Sequence, residues 1–305
     1  MKKVSIIGSG NVGVNSAFFI AEMAAAQVTL FDIKEGISEG KALDLMEAAP
    51  IRSYRTGIEG SSDIASIAGS HAVVIAAGLI RTPGHDRGEH FRENAAIVGE
   101  ICGRVVDLAP EAVVIVATEP VDAMVKVVLD ATGFHRRRVM GIGGLLDCTR
   151  MAHFVSDELD VSPRDVSAMV IGSHTRLMVP VPEYTRVNGI PISQLMSEEA
   201  VARIVTATRE AGSVIIDLAR RANAYYAPSA AIAQVVEAVC IDTHKVLSLS
   251  VMLEGEYGLR DVALSVPCRI GAAGVEEILE VELGEKVLEA FRESAEPVQR
   301  WDKPS

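Results

Sequence analysis

Three glycines near the start of the chain have the spacing of a loop that binds a dinucleotide. Gly8, Gly10 and Gly13 form a Gly-x-Gly-x-x-Gly turn after the apolar run 4–7, and Asp32 ends the next apolar run about 20 residues further on. The glycines allow a tight turn, close approach of a pyrophosphate and close packing of the next helix, whose N-terminus attracts phosphate. A carboxylate at Asp32 accepts both ribose hydroxyls and repels a 2′-phosphate. A tight turn without ligand is the alternative, but the strand–helix–strand–acid context favours NAD over NADP.

Other residues that could act on a substrate follow later apolar runs. Arg81 and Arg87 lie in a loop with Pro and Gly, which favours a lid that brings cations over an anionic substrate, although a solvated loop is the alternative. Asp147 and Arg150 share one face of a predicted helix, as a surface ion pair also would. His174 ends a predicted strand, and histidine exchanges protons near neutral pH, although a lone histidine is more often structural. Reduction of a ketone needs such a proton donor, a cation and a carboxylate anchor.

The elements that must position these residues alternate in the first half of the chain. Buried strands are predicted at 4–7, 28–31, 72–77, 113–117 and 139–142, a weaker one at 54–58, and helices at 37–49, 89–108 and 120–131. This alternation predicts an α/β Rossmann domain, a doubly wound parallel sheet, over residues 1–143. A mixed α+β catalytic domain is expected over 144–305, with helices at 147–159, 198–221, after Pro228 and at 284–298, and strands at 165–171, 245–253 and 261–270. Ligands of doubly wound sheets lie past the carboxyl ends of the strands.

Composition limits the classes of partner. The 305 residues carry a formal net charge of −12, which argues against nucleic acid. No apolar run approaches the roughly 18 residues of a membrane span, and Gly8 to Asn11 interrupt the only segment that resembles a secretory signal. The four cysteines are scattered without metal-ligand spacing. We therefore expect a cytoplasmic protein with neither a metal site nor a membrane or nucleic-acid partner.

Several motifs together resemble the malate dehydrogenases of the lactate-dehydrogenase-like type. The matching segments run from the first strand almost to the end of the chain and include residues 32–36, 40–45, 79–88, 145–150, 178–180 and 225–228. The resemblance implies reversible oxidation of malate to oxaloacetate with NAD. It also implies a small dicarboxylate as substrate and a homodimer or homotetramer. The helix that starts near residue 37 is either part of that interface or part of the core.

The resemblance also implies a role for each candidate residue. His174 is expected to be the acid/base, and Asp147 to hold its imidazole. Arg150 would grip the carboxylate beside the reacting carbon, Arg87 would polarise the carbonyl, and Arg81 would pair with a second carboxylate, which favours malate over lactate. The expected cofactor contacts are Gly8, Gly10, Asn11, Val12, Gly13, Asp32, Gly78, Asn94, Ala117 and Thr118.

Two segments depart from the family pattern. The family has Asn-Pro where this chain has Glu119-Pro120, in a substrate-binding position, and Gly-Gly-His-Gly-Asp where this chain reads 172–176 as Gly-Ser-His-Thr-Arg. An ionised glutamate accepts hydrogen bonds but cannot donate them. Glu119 is therefore expected to be paired with Arg176, protonated by burial, or part of a site that has drifted, and the pair with Arg176 is the preferred alternative. A carboxylate beside His174 would raise the pKa of the imidazole. The alternatives to a malate dehydrogenase are a dehydrogenase of another 2-hydroxy acid and a catalytically weak NAD-binding protein.

Overall fold

The computed structural model describes residues 1–79, 87–219 and 224–300. Arg81 lies outside these ranges, and for Arg87 the backbone but not the side chain is described. The side chains of these two predicted cations therefore lie outside the described structure.

The first half of the chain alternates short strands with longer helices. The elements are β1 (Lys3–Ile7), α1 (Asn11–Glu22), β2 (Gln27–Phe31), α2 (Ile37–Arg52), β3 (Ile58–Ser61), β4 (Ala72–Ile75), α3 (Arg87–Leu108), β5 (Val113–Val116), α4 (Val121–Thr132) and β6 (Val139–Gly141). The strands pair in parallel in the order β3-β2-β1-β4-β5-β6. Runs of Val and Ile form β4 and β5 because both faces of these strands are buried by helices. This is the predicted doubly wound sheet.

The second half mixes helices with antiparallel strands. Its elements are α5 (Gly143–Leu159), β7 (Val166–Ser167), β8 (Val170–Ile171), β9 (Val179–Pro180), β10 (Arg186–Val187), β11 (Ile190–Pro191), α6 (Glu198–Ala219), α7 (Tyr226–Ile241), β12 (Lys245–Glu254), β13 (Arg260–Gly271), β14 (Gly274–Ile278), α8 (Glu285–Glu293) and α9 (Glu296–Arg300). Long apolar β12 and β13 pair in antiparallel fashion, and β14 adds to their outer side.

One sheet spans both halves of the chain. Strand β12 pairs with β6 at Ser250 and Gly141, so that the sheet order is β14-β13-β12-β6-β5-β4-β1-β2-β3. The helices also cross between halves, since α7 packs on α1 and the Ser229 hydroxyl donates to the Val12 carbonyl at 2.8 Å. Among the described residues, no helix is both long and apolar enough to cross a membrane.

Three predicted elements differ from the structure. The strand expected at 54–58 begins only at Ile58, because Tyr54 is buried beside α2 with its hydroxyl on the Leu45 carbonyl. The single strand expected at 165–171 is two short strands, β7 and β8, that pair with different partners. The terminal helix breaks at Ser294 because Pro297 has no N–H to continue the helical hydrogen bonds from α8.

Candidate active site

The glycine turn after β1 leaves an open space in front of the first turn of α1. Gly8 has φ +107°, and a Cβ on Gly13 would lie 2.0 Å from the Gly8 carbonyl oxygen, so neither position tolerates a side chain. A Cβ on Gly10 would meet nothing within 4 Å. Gly10 is the N-cap of α1, and within the described chain no side chain caps the helix that begins with Asn11 and Val12. Free N–H groups and an open approach fit a pyrophosphate.

Asp32 lies beside this turn at the carboxyl end of β2. Its Oδ2 accepts the Ser9 N–H at 3.0 Å, and its Oδ1 accepts the Lys34 N–H at 3.2 Å. Each carboxylate oxygen has further lone-pair directions that can accept from a hydroxyl. The position and orientation of this carboxylate therefore fit the ribose of a dinucleotide.

The loop after β4 lies against the glycine turn, since a Cβ on Gly8 would be 2.7 Å from the Ala77 nitrogen, and it is tied to the loop after β5. The buried Asn94 side chain accepts the Leu79 N–H at 2.8 Å and donates to the Glu119 carbonyl at 2.7 Å, so that it ties the two loops together. The Thr118 hydroxyl donates to the Ala77 carbonyl at 2.7 Å. A Cβ on Gly78 would lie 2.8 Å from the Thr118 methyl group. The tight packing keeps these loops against the carboxyl ends of the strands, next to Ala117.

Two carboxylates hold His174, one through its imidazole and one through its backbone. Its Nδ1 donates to Asp147 Oδ2 at 2.8 Å, and its backbone N–H donates to Asp122 Oδ2 at 2.7 Å. The chain reaches this point from β8 through Gly172 (φ +86°), which pairs with Ser265 of β13, and Ser173 N–H donates to Ser294 Oγ at 3.2 Å. His174 Nε2 is consequently the ring nitrogen that is left for a substrate.

Arg150 stands one helical turn after Asp147 on α5. Its Nη1 donates to Asp147 Oδ1 at 3.1 Å, so the same carboxylate holds both His174 and the guanidinium. The Arg150 side chain is only 11% exposed, and its buried Nε has no hydrogen-bond partner among the described residues. An unsatisfied buried N–H on a cation is costly, and a ligand carboxylate would satisfy it.

Asp122 is a site residue that the sequence analysis missed. It lies in the first turn of α4, is buried, and supports the His174 backbone. Burial raises the pKa of Asp122 to about 6. The signal in the sequence was an acid at the start of a helix that follows β5. Because acids are common at helix N-termini, that signal did not point to His174.

Glu119 faces the remaining nitrogen of His174. Its Oε1 is 3.4 Å from Nε2, and its side chain is 54% exposed. Loss of surrounding water would raise the pKa of Glu119, but the charge and hydrogen bond of His174 outweigh this and hold the pKa below its usual value. The expectation of a carboxyl protonated by burial is therefore wrong. So is the expected pair with Arg176: these two residues are both described, no ion pair joins them, and Arg176 is exposed.

The two flanking carboxylates set the charge of His174. Burial alone would lower the pKa of the imidazole, but the charges of Asp147 and Glu119, with their hydrogen bonds, raise it well above the usual value. The direction expected from the sequence agrees with this geometry. Both carboxylates therefore favour the imidazolium, whose Nε2 faces Glu119 Oε1.

A group of three potential metal ligands occurs among the described residues, away from the residues discussed so far. Asp242, His244 and Glu276 offer ligand atoms within 4.8 Å of one another. Glu276 is already paired with Arg269 Nε at 2.8 Å and with His244 Nδ1 at 3.0 Å. These contacts account for the cluster as a surface ion-pair network.

A dinucleotide-type glycine turn, an acid at the end of the next strand and a His–Asp pair beside an arginine are typical of the class of dinucleotide-dependent dehydrogenases. The chain belongs to the lactate/malate dehydrogenase family. The family's NAD binding domain matches residues 2–141, and its alpha/beta C-terminal domain matches residues 145–300.

Similar proteins cover almost the whole chain. A malate dehydrogenase of Thermomicrobium roseum is 46% identical over 98% of this chain and 96% of its own length. The solved malate dehydrogenase of Salinibacter ruber is 40% identical, covers 98% of this chain and 96% of its own, and superimposes with a TM-score of 0.93. A lactate dehydrogenase of Cryptosporidium parvum, solved with lactic acid and nicotinamide adenine dinucleotide, is 34% identical over 100% of this chain and 99% of its own, with a TM-score of 0.94.

Proposed function

We propose that this protein is an NAD-dependent malate dehydrogenase that interconverts malate and oxaloacetate. The observation that carries the proposal is the Asp147–His174 pair with Arg150 on the same carboxylate, in a chain that also has the glycine turn. The names of the relatives at 41–46% identity favour malate over other 2-hydroxy acids. Arg81 supports the same choice, since a cation there would pair with a second carboxylate, although it lies outside the described residues.

His174 acts as the acid/base. Its Nε2 proton passes to the carbonyl oxygen of oxaloacetate, and Nε2 takes the proton from the hydroxyl of malate in the reverse direction. Asp147 keeps Nδ1 protonated and stabilises the imidazolium through the 2.8 Å hydrogen bond. Bound NAD supplies the hydride acceptor for malate, and its reduced form supplies the hydride donor for oxaloacetate.

The arginines orient the substrate. Arg150 offers its unsatisfied Nε to the carboxylate next to the reacting carbon, and its planar fork fixes the orientation of that carboxylate. Arg87 polarises the carbonyl, and Arg81 holds the second carboxylate. Glu119 contacts the substrate region through its position at Nε2 of His174.

Residues at the carboxyl ends of β1, β4 and β5 would hold NAD. Gly10, with the first N–H groups of α1 at Asn11, Val12 and Gly13, would bind the pyrophosphate beside Gly8, and Asp32 would bind the ribose. Gly78, Asn94, Ala117 and Thr118 form the wall on the nicotinamide side.

The test is NADH oxidation by the purified protein with oxaloacetate and with pyruvate. We expect a clear preference for oxaloacetate, and we expect Arg81→Gln to move the preference toward pyruvate by about ten- to 150-fold, the factor for a lost charged hydrogen bond of ~1.5–3 kcal/mol. Arg164→Gln, an exposed arginine before β7, removes the same charge and should leave the preference unchanged. Equal turnover of both substrates by the unaltered protein would refute the assignment to malate.

We also propose a cytoplasmic homodimer or homotetramer. Helix α2 leaves Leu43 62% exposed and Ile51 87% exposed, which a second copy would cover. The four cysteines, Cys102, Cys148, Cys240 and Cys268, are free, as is usual in a reducing compartment. Light scattering on the unaltered protein and on Leu43→Glu tests the assembly: a larger mass that falls in the variant supports this interface.

A further inference from the structure

The two carboxylates on the ring of His174 are held with different firmness. The Asp147 side chain is 2% exposed and accepts from both His174 and Arg150. The Glu119 side chain is 54% exposed, and its only other hydrogen bond among the described residues is from the Val121 N–H, at 3.3 Å. Asp147 is therefore a fixed part of the site, whereas Glu119 has room to turn toward solvent.

Glu119 occupies the direction in which His174 must donate to a substrate. An imidazole N–H has a single hydrogen-bond direction, and a reacting oxygen has to approach it to about 2.6–3.2 Å. Glu119 Oε1 is 3.4 Å from Nε2, so an incoming substrate oxygen has to displace it from this direction. The negative charge of Glu119 nevertheless remains close to the substrate oxygen. Within the described elements, His174 contacts the carboxylates of Asp147 of α5, Asp122 of α4 and Glu119, and Arg150 of α5 contacts Asp147.

We propose that Glu119 is a specificity-determining residue that rejects ligands which would place a charged oxygen at Nε2 of His174 and admits those which place a neutral carbonyl oxygen there. The inference rests on the proposed function, because it assigns the carbonyl of a 2-oxo acid to Nε2. A carboxylate oxygen at that position meets the negative charge of Glu119 within a few ångströms. A carbonyl oxygen carries only a partial charge and meets much less repulsion.

The test compares malonate, a dicarboxylate without a carbonyl between its acid groups, with oxaloacetate. Glu119→Gln removes the charge and retains an amide. At pH 6.5 we expect its inhibition constant for malonate to fall about tenfold, the order expected for two screened unit charges about 4 Å apart. The KM for oxaloacetate should change much less. The matched control is Glu111→Gln, which removes a 94% exposed glutamate from the opposite end of β5 and should leave both constants unchanged.

Calorimetric binding of malonate to the NADH-loaded protein gives a readout that needs no turnover. A tenfold lower dissociation constant for malonate in Glu119→Gln, with no change in Glu111→Gln, supports the inference. This support does not depend on turnover. A protein that binds malonate in this way but does not reduce oxaloacetate would refute the proposed function alone. Equal malonate affinities for the unaltered protein and Glu119→Gln would overturn the inference. So would a KM for oxaloacetate that falls by the same factor as the malonate constant.

Discussion

The buried carboxyl of Asp122 makes the stability of the fold depend on pH in a predictable direction. The pKa of Asp122 is raised by burial from 3.8 to about 6. Between these two values the folded protein binds a proton that the unfolded chain has lost, so the free energy of unfolding decreases as the pH rises from about 4 to about 6. The difference of about two pKa units corresponds to ~3 kcal/mol.

Asp122→Asn removes this ionisation. The amide oxygen can still accept the His174 N–H, while the side chain remains neutral at every pH. The amide nitrogen adds a buried donor, whose cost does not vary with pH. We therefore expect the free energy of unfolding of the variant, relative to the unaltered protein, to increase by ~3 kcal/mol between pH 4 and pH 7.

Urea unfolding at a series of pH values and one protein concentration measures this difference. Asp130→Asn is the matched control on the same helix, because Asp130 is 67% exposed and forms a surface pair with Lys126. Such a pair contributes at most ~1 kcal/mol, so the control curve should follow that of the unaltered protein. Parallel curves for Asp122→Asn and the unaltered protein would refute the reasoning.

Three further substitutions test the site. Arg150→Lys should raise the KM for oxaloacetate about ten- to 150-fold, because lysine has no planar guanidinium to bind a carboxylate with two hydrogen bonds. A KM within twofold of the unaltered value in steady-state kinetics would contradict the role of Arg150. Gly13→Ala places a Cβ 2.0 Å from the Gly8 carbonyl oxygen. It should therefore lower the free energy of unfolding by ~1–3 kcal/mol and weaken NADH binding. In the control variant Gly99→Ala the new Cβ meets nothing within 4 Å, and neither effect is expected. His174→Asn should abolish turnover but leave NADH fluorescence titrations unchanged; normal turnover would show that another group transfers the proton.

The buried strands of the first half were predictable because both of their faces are covered. Such strands are continuous apolar runs in the sequence, and the run that forms β5 contains no polar residue, so its strand could be recognised. The two-residue strands from β7 to β11 are too short to show any periodicity, so a single strand was predicted where β7 and β8 separate. The break at Ser294 is also a tertiary feature, since the Ser294 hydroxyl accepts from Ser173.

The sequence predicted which residues form the candidate site, but not which of them contact one another. The spacing of Asp147 and Arg150 correctly predicts that they share a helix face, where they form an ion pair. That the same carboxylate holds His174 depends on the bridge between Gly172 and β13, which spacing does not reveal. The predicted pair of Glu119 with Arg176 is wrong for a local reason. The Leu177 N–H donates to the Thr175 hydroxyl in a turn that leaves Arg176 exposed.

The pairing of β12 with β6 has a mechanical consequence. The half that contains the glycine turn and the half that contains His174 share one hydrogen-bonded sheet, so a hinge motion between them would shear the backbone contact of Ser250 with Gly141. This backbone contact therefore opposes a relative movement of the two halves, whereas it leaves segments outside the sheet unconstrained. The same ladder protects β6: a fragment ending at residue 143 would expose that strand as an unpaired edge prone to association with other chains.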